Sequence, residues 1–212
     1  MLDEYRTVER RGEKEIVIRR SRFIGHAAPV ETEEEAQRFV EEIRKKHPQA
    51  THNCYAYVAG ERDQFQKQSD DGEPSGTAGR PILEVIKRRG LKNVAVVVTR
   101  YFGGILLGAS GLVGAYAEAA AAGIDAAGPI IRRLHRLLTV EADYGRYGKI
   151  EYELRQRGII IRDTAFTDKV TVACLPLSTE AERLAADLTN LTQGQCPITL
   201  GDGVYMNHPA GE

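Results

Sequence analysis

The sequence predicts an α+β fold in two domains, residues 1–129 and 130–212. Segments that alternate apolar and polar residues, as strands do, are interspersed with segments whose apolar residues recur at helical spacing. A β-branched run at Asn93–Thr99 is typical of a central strand that is covered on both faces. Beyond Gly128–Pro129, where a domain boundary is expected, the predicted elements follow the order β-α-β-β-α-β of a ferredoxin-like unit.

Five strands are predicted in the first domain, four from alternation and turn signals and one from the β-branched run. Residues 1–12 are expected to be loosely ordered. Three arginines, Arg19, Arg20 and Arg22, cluster at the first turn, and a phosphate contact and an ordinary solvated turn are the two interpretations. The predicted strands are Glu15–Arg19, Arg22–Val30, Asn53–Ala59, Phe65–Gln68 and Asn93–Thr99.

Three helices are predicted in the same domain. The first begins at Thr32, where the T-x-x-E pattern forms a capping box, and Pro48 closes it. The second, Arg80–Arg89, stops at Gly90. The third, Gly111–Ala127, is rich in alanine and glycine, so its small side chains allow it to lie very close to a sheet.

The second domain is predicted to hold four strands and two helices. Tyr147, Ile150 and Leu154 recur at helical spacing and mark a helix that ends at Gly158. A capping box at Thr179–Glu182 begins the other helix. The strands are predicted at Arg136–Val140, Ile159–Thr164, Lys169–Leu175 and Cys196–Leu200.

Composition narrows the class of protein. The chain is 42% hydrophobic and 28% charged with a net charge of −1, so any nucleic-acid role requires a local basic patch. It has no apolar run of the roughly 18 residues that a membrane span needs, and its N-terminus lacks the apolar core of a secretory signal. Cys54, Cys174 and Cys196 form no C-x-x-C pair. We therefore expect a cytoplasmic protein with no membrane association, disulfide, metal or cofactor.

An acidic loop, Ser69–Gly79, precedes the second helix. Its carboxylates suit a cation, and its hydroxyls beside free N–H groups at a helix start suit a phosphate. The alternative is a loop that caps its own helix, with Asp70 or Asp71 paired to an arginine. No lysine follows its glycines, which excludes a P-loop. The candidate residues are Asp70, Asp71, Glu73, Ser75, Gly76 and Thr77.

A second loop, Thr99–Gly111, ends the buried strand. Arg100 for a phosphate and Tyr101 for base stacking form a combination that recurs in RNA-binding proteins. The alternative is that Phe102 is core and Arg100 pairs with Asp70 or Asp71. The candidate nucleic-acid residues are Arg100, Tyr101, Gly103, Gly104, Lys87, Arg88, Arg89 and Lys92.

Cys54, next to His52, is the one candidate nucleophile. It falls on the apolar face of its strand, where a small buried thiol is the commoner explanation, so no catalytic residue is predicted.

Three segments resemble the Impact family: Ala50–Val58, DDGEPSGTAGRPIL at 70–83 and VVVTRYFGGILLGASGLVGAY at 96–116. The resemblance covers nearly the whole chain. It implies a first domain similar to domain IV of elongation factor G, with a left-handed β-α-β crossover, and a ferredoxin-like second domain similar to domain V. Ser110 and Gly114 replace a glycine and an arginine of many relatives, which weakens the case for a basic groove there.

The resemblance also implies a role in translation. Eukaryotic relatives act in translational control by binding a regulator of the kinase that phosphorylates an initiation factor, and the family has no established enzyme activity. Three hypotheses result: a non-enzymatic nucleic-acid- or ribosome-binding protein linked to translation, a small metal- or phosphate-dependent hydrolase that uses Asp70–Thr77, and a protein-docking regulator.

Overall fold

The computed structural model describes residues 1–210, which form a mixed α+β structure with antiparallel sheets. The chain divides into two compact units. The N-terminal unit holds residues 5–131 and 207–210, and the C-terminal unit holds residues 1–4 and 132–206. The domain boundary expected at Gly128–Pro129 remains a prediction. The grouping of the first four residues with the C-terminal unit was not expected from the sequence.

The elements alternate along the chain as the sequence predicts, with one additional strand at the start. The first half contains β1 (Glu4–Val8), β2 (Gly12–Ile18), β3 (Ser21–Pro29), α1 (Glu33–Lys46), β4 (His52–Ala59), β5 (Phe65–Ser69), α2 (Gly79–Arg88), β6 (Val94–Tyr101) and α3 (Gly108–Ala127). The second contains β7 (Pro129–Ala142), α4 (Tyr144–Gln156), β8 (Ile160–Phe166), β9 (Val170–Leu175), α5 (Ala181–Leu191) and β10 (Ile198–Pro209).

The N-terminal unit is built on an antiparallel sheet in the order β2-β3-β6-β4-β5. The β-branched run forms the central strand, β6, and Val94–Arg100 is buried throughout. One face of the sheet packs against α2 and α3, and the other packs against α1 through Phe39 and Ile43. The prediction of a strand covered on both faces is confirmed.

Helix α3 lies so close to β3 that glycines are required on both sides. A Cβ atom on Gly25 would lie 1.9 Å from the Ala119 carbonyl oxygen, and one on Gly123 would lie 2.6 Å from the Gly25 carbonyl carbon. The small residues that the sequence places in this helix therefore serve backbone-to-backbone packing at this point. Gly114, on the same helix, has open space around its Cβ position.

Helix starts confirm one predicted cap and correct another. The Thr32 hydroxyl accepts the Glu35 N–H at 3.2 Å, so Thr32 caps α1 as predicted. The capping box predicted at Thr179 is wrong, because α5 begins at Ala181 and its N-cap is Glu180, whose side chain makes no capping bond. Thr179 therefore lies outside the N-cap position.

The C-terminal unit has the predicted order β-α-β-β-α-β, in which β7 pairs with β9 and β10, and β9 pairs with β8. Helices α4 and α5 pack on the sheet through Ile150, Leu154, Leu184 and Leu188. Strands β7 and β10 are longer than predicted. Residues 4–8, predicted to be loosely ordered, form β1, because β7 supplies a pairing partner far away in sequence.

Within residues 1–210, no helix is both long enough and apolar enough to cross a membrane.

The glycine contacts give a first testable outcome. Gly123→Ala should destabilise the protein by about 2 kcal/mol or more, because its Cβ would overlap the backbone of Gly25. Gly114→Ala, in the same helix but in open space, should stabilise it by about 0.5–1 kcal/mol. Urea unfolding midpoints measure both, and equal midpoints for the two variants would contradict the close packing.

Candidate functional site

The predicted site residues meet at one end of the N-terminal sheet. Strand pairing places Arg100 between Phe23 of β3 and His52 of β4, and places Tyr101 opposite Arg22. The acidic loop, the β2–β3 turn (Arg19–Arg20) and the β6–α3 loop (Phe102–Leu107) surround this end.

Asp70 fills the position in which the sequence suggested a phosphate. Its Oδ1 accepts the N–H groups of Ala78 at 3.0 Å and Gly79 at 2.8 Å, and its Oδ2 accepts that of Gly76 at 2.9 Å. Burial opposes ionisation of Asp70, but these three backbone donors together outweigh it and lower its pKa. The free N–H groups at the start of α2 are thus already occupied, and the expected phosphate contact there is corrected.

The other members of the acidic loop also have partners of their own. The Asp71 carboxylate accepts the Asn53 N–H at 2.7 Å and pairs with Arg44 at 3.0 Å. The Thr77 hydroxyl donates to the Pro74 carbonyl at 2.7 Å, while Ser75 is exposed. The carboxylates of the loop face different partners, and the described residues contain no group of three side chains that could hold a metal ion. The metal site of the hydrolase hypothesis is therefore absent from residues 1–210.

Glu73 and Arg100 form a buried ion pair. Their side chains are 3% and 7% exposed, and Arg100 Nη1 lies 2.5 Å from Glu73 Oε1. The Tyr116 hydroxyl donates to the same oxygen at 2.8 Å. The Arg100 guanidinium also lies against the rings of Phe23 and Phe102, at 5.3 and 5.5 Å from their centroids.

This pairing corrects the role predicted for Arg100 and Tyr101. The charge of Arg100 is compensated by Glu73 inside the protein, so Arg100 is not an exposed phosphate contact. The hydroxyl of Tyr101 lies 3.0 Å from His47 Nδ1, and Arg22 covers its ring at 5.2 Å. The exposed aromatic ring at this end of the sheet is instead Phe102, which is 46% exposed.

The four predicted basic residues lie elsewhere, at the C-terminal end of α2 and just after it. They precede β6, whereas Arg100 and Tyr101 end it, and a strand of this length separates them by about 23 Å. Arg89 pairs with Asp125, and Lys92 Nζ lies 2.9 Å from Asp63. Lys87 and Arg88 are exposed. The structure does not bring the predicted basic residues together.

The exposed cations at the site are those of the β2–β3 turn. Arg19 and Arg20 are exposed, and neither has an ion-pair partner among residues 1–210. Arg19 Nη1 donates to the Leu106 carbonyl at 3.3 Å, which joins the turn to the β6–α3 loop. The cluster of arginines was visible in the sequence, but its proximity to the loop depends on long-range strand pairing.

Gly103 and Gly104 fix the loop against this turn. A Cβ on Gly103 would lie 2.0 Å from the Arg20 carbonyl oxygen, and the Gly103 N–H donates to the buried Ser21 hydroxyl at 3.1 Å. Gly104 has a φ of 83°, a conformation that favours glycine. Both predicted residues therefore have a structural reason to be glycine.

The turn itself has an unusual composition for its geometry. Arg19 and Arg20 have φ angles of 46° and 66° and connect the Ile18–Ser21 pair of a two-residue hairpin. Both central residues of such a turn adopt left-handed conformations, for which Asn-Gly is the favoured pair. Arg-Arg is strained here by comparison.

Cys54 is not an activated nucleophile. It is fully buried, its thiol donates to the Asp70 carbonyl at 2.9 Å, and burial raises its pKa far above the ordinary value. It serves as a small core residue, as the sequence suggested.

A row of polar groups crosses the face of the sheet beneath α1. His26 is 2% exposed, with Nδ1 3.3 Å from Glu13 Oε2 and Nε2 3.4 Å from the Thr99 hydroxyl. Thr99 donates in turn to Asn53 at 2.7 Å. Burial lowers the pKa of His26 to about 4; Glu13 opposes this effect, and His47 and Lys46 add to it.

Sequence comparisons place the chain among a set of related proteins. The Impact N-terminal domain matches residues 19–124, and a domain of unknown function matches residues 140–195. The chain is 47% identical to the IMPACT family member YvyE of Bacillus subtilis, over 97% of this chain and 95% of that protein. It is 40% identical to a Thermus thermophilus family member, over 84% and 97% of the two chains.

Two further comparisons extend this set. The mouse protein IMPACT is 42% identical over 98 residues, which are 44% of this chain and 30% of that protein. A crystal structure of a hypothetical protein, 30% identical, matches 95% of this chain and 98% of its own, with a TM-score of 0.60. The bacterial likeness thus spans both units, and the mammalian likeness covers less than half of the chain.

The buried ion pair gives a stability test. Glu73→Gln keeps the shape of the side chain but leaves the buried Arg100 cation without its counter-charge, so it should cost about 3–5 kcal/mol. Glu84→Gln, in the exposed Arg80–Glu84 pair, is the control and should cost less than about 1 kcal/mol. If both variants unfold at the same urea concentration, the pair does not have the proposed structural importance.

His26 makes stability depend on pH. The unfolded chain binds a proton at His26 below about pH 6.5, whereas the folded chain does not until about pH 4, so stability should fall as pH decreases through this window. The contribution of this residue is about 3 kcal/mol. His26→Gln should remove it, which urea unfolding at pH 7 and pH 4 would show as a smaller loss than in the wild type. If the wild type and His26→Gln lose the same amount of stability between pH 7 and pH 4, His26 is not the source of the pH dependence.

Proposed function

The chain belongs to the Impact family, and from this premise we propose that it is a non-enzymatic nucleic-acid- or ribosome-binding protein that acts in translation or its regulation. We further propose that it works in the cytoplasm, and that its units correspond to domains IV and V of elongation factor G, with a left-handed crossover in the first. The pairing of β7 with both β9 and β10 supports a ferredoxin-like second unit.

The observation that carries the proposal is the pair of exposed, unpaired arginines at the β2–β3 turn. Nucleic-acid affinity comes mainly from cations that meet phosphates, and a protein with a net charge of −1 must concentrate them in one place. The start of α3 adds to this patch, because its first turn holds no acidic residue and no side chain caps it. Phe102 offers an exposed ring beside it.

The proposed binding surface differs from the one that the sequence favoured, which was centred on Arg100 and Tyr101. Arg100 and Tyr101 support it from beneath, through the Glu73 pair and the Arg22 contact. Arg19 and Arg20 replace them as phosphate contacts. The hydrolase alternative is not retained, since each carboxylate of the acidic loop already has partners within the protein.

The decisive variant is Arg19→Asn combined with Arg20→Gly. It removes two cations and installs the residues that this turn prefers, so binding should weaken while folding stability stays the same or rises. Co-sedimentation with ribosomes and with purified ribosomal RNA, at two salt concentrations, measures binding. We expect the affinity to fall about tenfold or more, and the slope of log affinity against log salt concentration to decrease by about 2.

The matched control is Lys87→Ala with Arg88→Ala, which removes two exposed cations at the opposite end of β6 and should leave binding unchanged. Binding of wild-type protein that is undetectable at low salt, or equal for both double variants, would refute the proposal. Sedimentation with partners that persists after nuclease treatment would favour the protein-docking alternative instead.

A further inference from the structure

The β6–α3 loop exposes three large apolar side chains close together in sequence. Leu106 is 80% exposed, Phe102 46% and Ile105 38%, within five consecutive residues. The next residue, Leu107, packs against the core of the N-terminal unit. We call Ile105 and Leu106 the apolar tip. Large apolar side chains that project from a folded protein in this way are typical of contact surfaces.

The apolar tip is held in place by backbone contacts on both sides. Before it, the N–H groups of Phe102 and Gly103 donate to the hydroxyls of Thr51 and Ser21 at 3.0 and 3.1 Å. Behind it, Arg19 donates to the Leu106 carbonyl. The loop is therefore organised before any partner arrives, which reduces the entropy lost on binding.

The charges around the tip favour one class of partner. Segment 102–110 contains no acidic residue, Arg19 contacts the backbone of Leu106 directly, and the positive end of α3 begins two residues later. A partner that meets this surface must carry negative charges close to exposed apolar faces. Nucleic acid has both properties, since phosphates flank the flat faces of its bases.

We propose that Leu106, supported by Ile105, is an apolar wedge that inserts at an unpaired position of an RNA stem, while Arg19 and Arg20 hold the flanking phosphates. This inference rests on the proposed function and names its ligand class. Insertion of an apolar side chain between stacked bases costs the free energy of unstacking them. The cost is smallest where a base is already unpaired, so a bulged stem should be preferred to a continuous duplex.

The test uses the full-length protein and two RNA stems of equal length, one continuous and one with a single bulge beside a 2-aminopurine. Wild-type protein should bind the bulged stem about tenfold more tightly and change the 2-aminopurine fluorescence. Leu106→Ala should abolish this preference and the fluorescence change, while its affinity for the continuous stem and its salt slope stay unchanged. Val17→Ala, at another exposed aliphatic residue, should behave as wild type.

The outcomes separate the two proposals. Equal wild-type affinity for both stems, or a preference that survives Leu106→Ala, overturns the wedge but leaves the proposed function intact if the arginine variant still loses binding. No RNA binding by the wild type overturns both. Binding to vesicles of anionic phospholipid but to neither RNA would assign the tip to a membrane surface, and this also overturns both.

Discussion

The end of the N-terminal sheet depends on the buried pair of Glu73 and Arg100. Glu73 comes from the acidic loop, Arg100 from the end of the central strand, and Tyr116, which donates to the same carboxylate, from α3. One carboxylate thereby connects three elements at this end of the sheet. A charge buried to this extent is tolerated only when it is paired and hydrogen-bonded. The loops at this end of the sheet are consequently fixed by electrostatics as much as by apolar packing.

The fold could be predicted from sequence wherever the information is local. The β-branched run specified β6, and Thr32 specified the start of α1, because propensity and capping act over a few residues. Strand β1 could not be predicted, because Glu4–Val8 becomes a strand through pairing with residues that are distant in sequence. Thr179 shows that a local pattern can also mislead. The T-x-x-E pattern is present there, but α5 begins one residue too late for Thr179 to be its N-cap.

The sequence was sufficient to predict which loops form the site, but not which of their residues pair with each other. The sequence identified both loops, and it raised the possibility that the acidic loop caps its own helix. It could not assign Glu73 to Arg100, because 27 positions separate them and several carboxylates compete. It also grouped Lys87 with Arg100 because they are near in sequence, although β6 carries them to opposite ends. Arg19 and Arg20 form a cluster that is visible in the sequence, but only the register of β3 on β6 brings them to the β6–α3 loop.

The grouping of the first four residues with the C-terminal unit affects when their contacts can form during synthesis. The Asp3 carbonyl accepts the Leu134 N–H at 2.8 Å, and the Leu2 carbonyl accepts the Tyr205 hydroxyl at 2.7 Å. Leu2 and Asp3 therefore meet partners that are synthesised much later than they are. Contacts between such distant positions form late, since a long loop must close before they are made. During translation Leu2 and Asp3 must stay unpaired until the strands that hold Leu134 and Tyr205 have emerged.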